Sequence, residues 1–335
     1  MKVVRVPPGR DGKLPSVRPL QWYERFDAFQ RRHGWLGFPL AVRQKYSDDQ
    51  GGYLAATITY YAFFAVFPLL LVFVSVLGFV LRGNAHLQQR IVDSALGQFP
   101  VIGHDLHVHA LAGNGVALAL GTAAALWSGM GVFLAVENAM NQLWGVPFRR
   151  RPDFFRRRLR AVSLMFVLGT AAIASTAIGA ATSVGAGLGV LAKVGTVVAS
   201  AALNFVLFWV SMRLLTTRDV GWRCLRGGAA AAAVAYTLLQ ILGGYYVGHV
   251  LKHSSSTYGA FGLVIGLLSW IYLSVHVLLL AAEGNVVATR RLWPRSFSVI
   301  LEQPATSADE RALTQRSKVE ERRQDEQIDV TFRGG

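Results

Sequence analysis

A chain of 335 residues that is 53% hydrophobic and only 16% charged has more apolar content than an ordinary soluble domain holds. Its formal charge of +15 comes from basic residues that gather beside apolar runs rather than in one stripe. That pattern argues against nucleic acid as a partner and for anionic lipid headgroups.

Residues 1–50 read as a basic cytoplasmic segment. Within it Trp22, Phe26 and Phe29 recur at helical spacing among Glu24, Arg25, Asp27, Arg31 and Arg32, the pattern of a helix that lies on a membrane surface or packs on the protein's own helices. The first apolar run begins only after roughly fifty polar and basic residues, too late for a cleavable signal peptide, so it is expected to act as an uncleaved anchor.

About 20 apolar residues cross a bilayer core as a helix, and six stretches meet that length. They run approximately from Gly52 to Leu81, Gly115 to Leu143, Ala161 to Val184, Leu191 to Leu215, Gly227 to Val250 and Tyr258 to Thr289. The expected fold is therefore an all-α transmembrane bundle occupying residues 51–290. Gly185, Gly187 and Gly189 form a turn between spans three and four and make no nucleotide fingerprint, since no strand precedes them. Lys and Arg concentrate before span one, between spans two and three, between spans four and five, and after span six. By the positive-inside rule both termini are then cytoplasmic. A second apolar stripe, Leu87, Ile91, Ala95 and Leu96, falls in the first external loop. Residues 291–335, polar and rich in alternating charge, are expected to be a disordered tail.

Ionisable groups inside spans cost about 2.5 to 3.5 kcal/mol each at mid-helix, so those present call for a reason. Glu137 stands with Asn138 and Asn141 in span two, and Glu283 with Asn285 in span six. Glu137 lies about 9 Å from the end of its span at 1.5 Å per residue, which places it in the inner half with Glu283. Arg213 at the inner end of span four is at similar depth and can pair with either. These six residues form either a structural network that holds helices together or the polar lining of a substrate or proton path. Pro68 interrupts span one and predicts a kink, as a hinge or as a fixed bend. The pairs Gly244 with Gly248 and Gly262 with Gly266 favour close helix packing.

His104, His107 and His109, with Asp105 among them, and the pair His249 and His253 all fall on the external side in this topology. Zinc binding or external pH sensing is one reading, solvated loop histidines the other. The order of the His-Asp cluster differs from that of metallo-hydrolase ribonucleases, and no P-loop, nucleophile elbow or paired-cysteine motif accompanies it. No cofactor is expected. Self-association into a homo-oligomer is left open.

Two blocks carry a resemblance. Leu54 to Leu71 reads LAATITYYAFFAVFPLLL, and Tyr258 to Asn285 reads YGAFGLVIGLLSWIYLSVHVLLLAAEGN. From about Gln44 to Pro294 the chain resembles the BrkB/YihY family of bacterial inner-membrane proteins, some of which bear the label virulence factor or the older label ribonuclease BN. Ala281 stands where that family usually has glycine, with Glu283 and Asn285 in register. Asn138, Asn141 and Trp144 also look like its pattern. The resemblance implies six spans in the cytoplasmic membrane and an envelope role, with some relatives linked to lipid or lipopolysaccharide movement. The leading expectation is a transporter or flippase-like protein for a lipid or amphipathic envelope component. The competing one is a non-transporting envelope scaffold, and enzymatic activity, ribonuclease included, is not expected.

Overall fold

A computed structural model describes residues 21–80, 115–183, 189–217, 220–246, 252–296 and 306–332. Among these residues the regular structure is helical throughout, with no strand. Two helices precede the bundle, α1 (Gln21–Arg32) and α2 (Gly34–Asp48). Six long helices follow: α3 (Gly51–Val80), α4 (Gly115–Leu143), α5 (Phe154–Ser183), α6 (Gly189–Leu215), α7 (Trp222–Tyr246) and α8 (Lys252–Arg290). The last described helix, α9 (Ser307–Lys318), lies in the C-terminal segment.

Among the described residues, all six apolar stretches fall on long helices. The shortest of these, with 25 residues, is about 37 Å long at 1.5 Å per residue, enough to span a hydrocarbon core. Four helices, α3, α4, α6 and α8, are both long and apolar enough to cross a membrane. The other two open on charge: α5 begins with Arg156, Arg157, Arg158 and Arg160, and α7 carries Arg223 and Arg226 in its first turns.

The apolar surface is distributed as a membrane protein requires. Buried positions are small or follow helical spacing: Ala55, Ile58 and Ala65 on α3 meet α4, which buries Ala125, Val136 and Ala139. This is the most extensive helix contact in the fold, and alanines allow the backbones to approach closely. On α8, Leu267, Ile271, Val275 and Leu279 repeat every four residues along the buried face. Large apolar side chains point outward instead of being covered, among them Tyr53, Trp127, Phe166 and Phe261, with Trp127 77% exposed. A belt of this kind on a soluble monomer is an aggregation surface, whereas in lipid it is ordinary solvation.

One end of the bundle collects the basic connections. The C-terminus of α4 closes in a Schellman arrangement, with Val146 N–H donating to Asn141 O and Gly145 N–H to Gln142 O. Gly145 holds the left-handed conformation this requires, at φ +63°. Around that terminus Lys45, Arg290 and Gln315 donate to the carbonyls of Leu143, Trp144 and Leu143 respectively. Cations at a helix C-terminus meet the negative end of its dipole.

The expectation of a disordered tail from residue 291 onward fails for residues 306–332. Thr306 and Asp309 form a reciprocal capping box that starts α9. Phe148 N–H donates to Val319 O at 3.1 Å and Arg149 N–H to Glu321 O at 3.0 Å, fastening the segment to the connection between α4 and α5. High charge predicts disorder only where charges lack partners. Here Glu321 is buried against Arg149 at 2.7 Å.

Candidate functional site

On α1 the polar residues Asp27 and Gln30 face inward. Both are buried, and Gln30 donates to Arg295 O at 2.8 Å, while Phe26 and Phe29 remain exposed. The stripe Leu87 to Leu96 lies outside the described residues.

Glu283 is completely buried on α8, and its cationic neighbour is Lys45 of α2, at 3.6 Å. Lys45 is itself only 2% exposed and pairs closely with Asp49, one helical turn further along. It also donates to Leu143 O at 3.2 Å, so one ammonium ties α2 to α4 and α8. Burial opposes the charge on Lys45, but Glu283 and then Asp49 outweigh it and hold its pKa above the ordinary lysine value. Burial pushes the Asp49 carboxyl up, against the pull of Lys45. Asp49 sits in the turn between α2 and α3, where Gln142 of α4 donates to its carbonyl at 3.0 Å and Gln50 adopts a left-handed φ of 56°.

Glu137 belongs to a separate centre. Arg157 of α5 approaches it at 3.4 Å, and Thr217 donates to its Oε1 at 3.5 Å. Asn141, one turn along α4, accepts from Thr217 N–H at 3.1 Å, so the pair binds the segment following α6. Asn138 accepts from Arg151 at 2.7 Å. Arg151 lies half-buried near Arg157, and burial together with that like charge lowers its pKa to about 10. Arg213 lies over the Trp222 ring with its guanidinium 5.9 Å from the centroid.

Asn285 joins neither centre. Its Oδ1 accepts from Gly228 N–H at 2.7 Å, and its amide faces Leu225 O and Met212 Sδ, each at 3.4 Å. The six polar residues therefore divide between two ion centres, an aromatic stack and a helix-to-helix clasp. Pro68 lies inside α3, which continues as helix on both sides. His104, His107, His109 and His249 lie outside the described residues, and His253 stands in the first turn of α8.

A groove of about 1710 Å³ opens between α2, the start of α3, α7 and α8. Arg43, Gln44, Asp48 and Arg295 give it a polar mouth at the basic end. Deeper in, Ala231, Ala235, Val277 and Leu280 make apolar walls. The small residues of α7 leave this space, because alanines project too little to fill it. Between the two zones stands a polar pair that sequence reasoning passed over: Tyr46 and His276 share a hydrogen bond of 2.8 Å between the phenol oxygen and Nδ1. Burial, with Tyr272 beside it, pushes the Tyr46 phenol up to about 12, so it stays protonated and can donate. Of the six sequence-stated polar residues only Asn285 lines this groove, although residues on either side of Lys45 and Glu283 do.

Lys45 and Arg157 are the partners that sequence reasoning did not find. Both counted as flanking charge for orientation, and only the tertiary fold turns them inward. The one available signal was the four-residue spacing of Lys45 and Asp49.

Comparisons with known proteins agree with this architecture. Inner membrane protein YhjD of Escherichia coli is 25% identical over 279 residues, covering 76% of this chain and 82% of that protein. A UPF0761 membrane protein of Albidiferax ferrireducens is 28% identical, covering 80% and 67% respectively. A Bacillus subtilis protein named putative ribonuclease-like protein YfkH is 24% identical, covering 76% and 96%. No solved structure matches the chain. The family model described as virulence factor BrkB matches residues 42–297, which takes in α3 to α8, both ion centres and all of the groove lining except Phe38 and Pro39, and the chain is accordingly a membrane protein belonging to that family.

Proposed function

We propose that the chain crosses the cytoplasmic membrane six times, with both termini inside, and carries a lipid or similar amphiphile along the groove. The six-span reading is supported by the meeting of α2, the ends of α4, α6 and α8, and the starts of α5 and α7 at one basic end. Contacts such as Lys45 to Leu143, Arg160 to the Leu214 carbonyl and Arg290 to Trp144 join these termini. Alternating long helices whose odd and even ends segregate this way cross an even number of times, and arginine-rich connections stay on the cytoplasmic side.

The observation that carries the transport reading is the groove itself. A polar mouth with an exposed Arg43 suits an anionic headgroup, and the apolar walls beyond it suit a hydrocarbon tail. Cys224 lines the groove, is exposed, and is the single cysteine of the chain, so it is a native probe. In liposomes containing labelled lipids, the purified protein is expected to accelerate lipid exchange between leaflets, and thiol labelling of Cys224 is expected to block it. Exchange equal to that of empty vesicles across lipid classes overturns the reading.

A second reading, a non-transporting scaffold, is favoured by the start of α5. Phe154, Phe155, Arg156, Arg158 and Leu159 are all exposed there, an amphipathic patch that suits an anionic membrane surface or a partner. Vesicle binding without lipid exchange would support it.

A further inference from the structure

Two carboxyl groups and one ammonium share a single dry compartment at the junction of α2, α4 and α8. Asp49 is 2% exposed, Lys45 2% and Glu283 0%. Both carboxyls contact the same Lys45 ammonium, which brings Asp49 and Glu283 together around one cation. Both oxygens of Glu283 are buried without a hydrogen-bond donor, the nearest cation being at 3.6 Å. Two carboxylates are acceptors only, so their approach is repulsive unless a proton lies between them. One lysine cannot balance both, and a net negative charge sealed from water is costly.

We propose that Asp49 and Glu283 together form a proton-binding site, holding one exchangeable proton between them while Lys45 neutralises the remaining charge. The leading charged and titratable groups around the pair are Lys45, Asp48 and Tyr46 from α2. From α4 come the uncharged Gln142 amide and Leu143 carbonyl, Gln142 bonding the Asp49 backbone. The proton belongs to the pair rather than to either residue.

The position of the site gives the proton a consequence. Gln44, Tyr46 and Asp48 on α2, and Ala281, Gly284 and Asn285 on α8, line the groove, whereas Lys45, Asp49 and Glu283 lie behind those walls. Loss of the proton sets two like charges against each other between the two helices that form the groove, and so favours their separation. The site itself does not depend on what occupies the groove.

Infrared spectroscopy of the full chain in lipid nanodiscs tests the proposal without any substrate. A protonated carboxylic acid band is expected at neutral pH, with a shift on deuterium exchange and loss at alkaline pH. Glu283→Gln and Asp49→Asn are each expected to remove it, because either leaves one carboxylate against one ammonium. Glu310→Gln, at an exposed position, is expected to leave it unchanged. Absence of the band in the wild-type chain at neutral pH, or its persistence in a folded Glu283→Gln or Asp49→Asn protein, overturns the proposal.

Discussion

Asn285 accepts a hydrogen bond of 2.7 Å from the backbone of Gly228, and this clasp sets how closely α7 approaches α8. A Cβ at residue 228 would run into the Asn285 amide and the Ala281 carbonyl, so only glycine fits. Asn285→Ala strands buried donors and acceptors and is expected to cost about 1–3 kcal/mol. Gly228→Ala overpacks the same contact and is expected to cost about 1–3 kcal/mol. Since both changes disrupt one contact, the double variant is expected to lose less than the sum. Unfolding midpoints in detergent, followed by circular dichroism, measure all three.

Lys45 is the common partner of two buried carboxyls, so its removal is expected to be more damaging than removal of any one of them. Lys45→Met leaves both without a cation and is expected to lose about 3–5 kcal/mol. Adding Asp49→Asn and Glu283→Gln to Lys45→Met is expected to restore most of that loss, because no buried charge then remains. The pH dependence has a definite sign. Lys45 has a raised folded pKa, so its contribution is complete below the ordinary lysine value and disappears as pH rises through the folded value. Asp49 is raised as well, so it too favours the folded state at lower pH, its contribution fading as pH rises through its folded value. Alkaline destabilisation that vanishes in the triple variant is the expected result in a thermal melt series.

The apolar stretches were legible in the sequence because span length is set by the bilayer, and each of them falls on a long helix. Burial of Glu137, Asn141, Glu283 and Asn285 was legible for a related reason: polar groups within apolar runs are kept away from lipid. Their grouping was not legible. Asn285 lies only two residues beyond Glu283, yet on a helix that offset turns it toward α7 while Glu283 turns toward α2 and α4. The ordered C-terminal segment was hidden by composition, although Thr306 followed by Asp309 is the spacing of a capping box.

Asp309 is the anchor of that segment. It accepts from Arg295 at 2.9 Å and from the Ser296 hydroxyl at 2.7 Å while also capping α9, and Arg295 reaches Asp48 at 2.7 Å. Asp309→Ala is expected to release residues 306–332, increasing amide exchange and proteolysis there while the long helices stay protected. Burial opposes the Asp309 charge, but hydrogen bonds from Thr306, Arg295 and Ser296 prevail and hold its carboxyl below the usual aspartate value. Its contribution is therefore present above that usual value and is lost as pH falls through the folded one. Exchange measured down a pH series is expected to show the C-terminal segment loosening on the acid side, the direction opposite to that at Lys45.

Glu137 tests whether the second ion centre takes part in lipid exchange or only fastens helices. Its charge is held by Arg157 and Thr217, so Glu137→Gln keeps the shape and an acceptor while removing the charge. If the side chain only fastens α4 to α5 and to the segment after α6, the variant is expected to lose about 1–3 kcal/mol and retain full lipid exchange per folded molecule. If transport depends on the charge, exchange is expected to fall at least tenfold, about 1.4 kcal/mol in barrier, with the melting midpoint little changed. Arg157→Gln supplies the control, because it removes the cation and leaves the carboxylate buried. The groove lies between α2, α3, α7 and α8, whereas Glu137 pairs with α5 on the other side of α4. The expected outcome is therefore lower stability with exchange retained for both variants, measured on equal amounts of folded protein in the same vesicles.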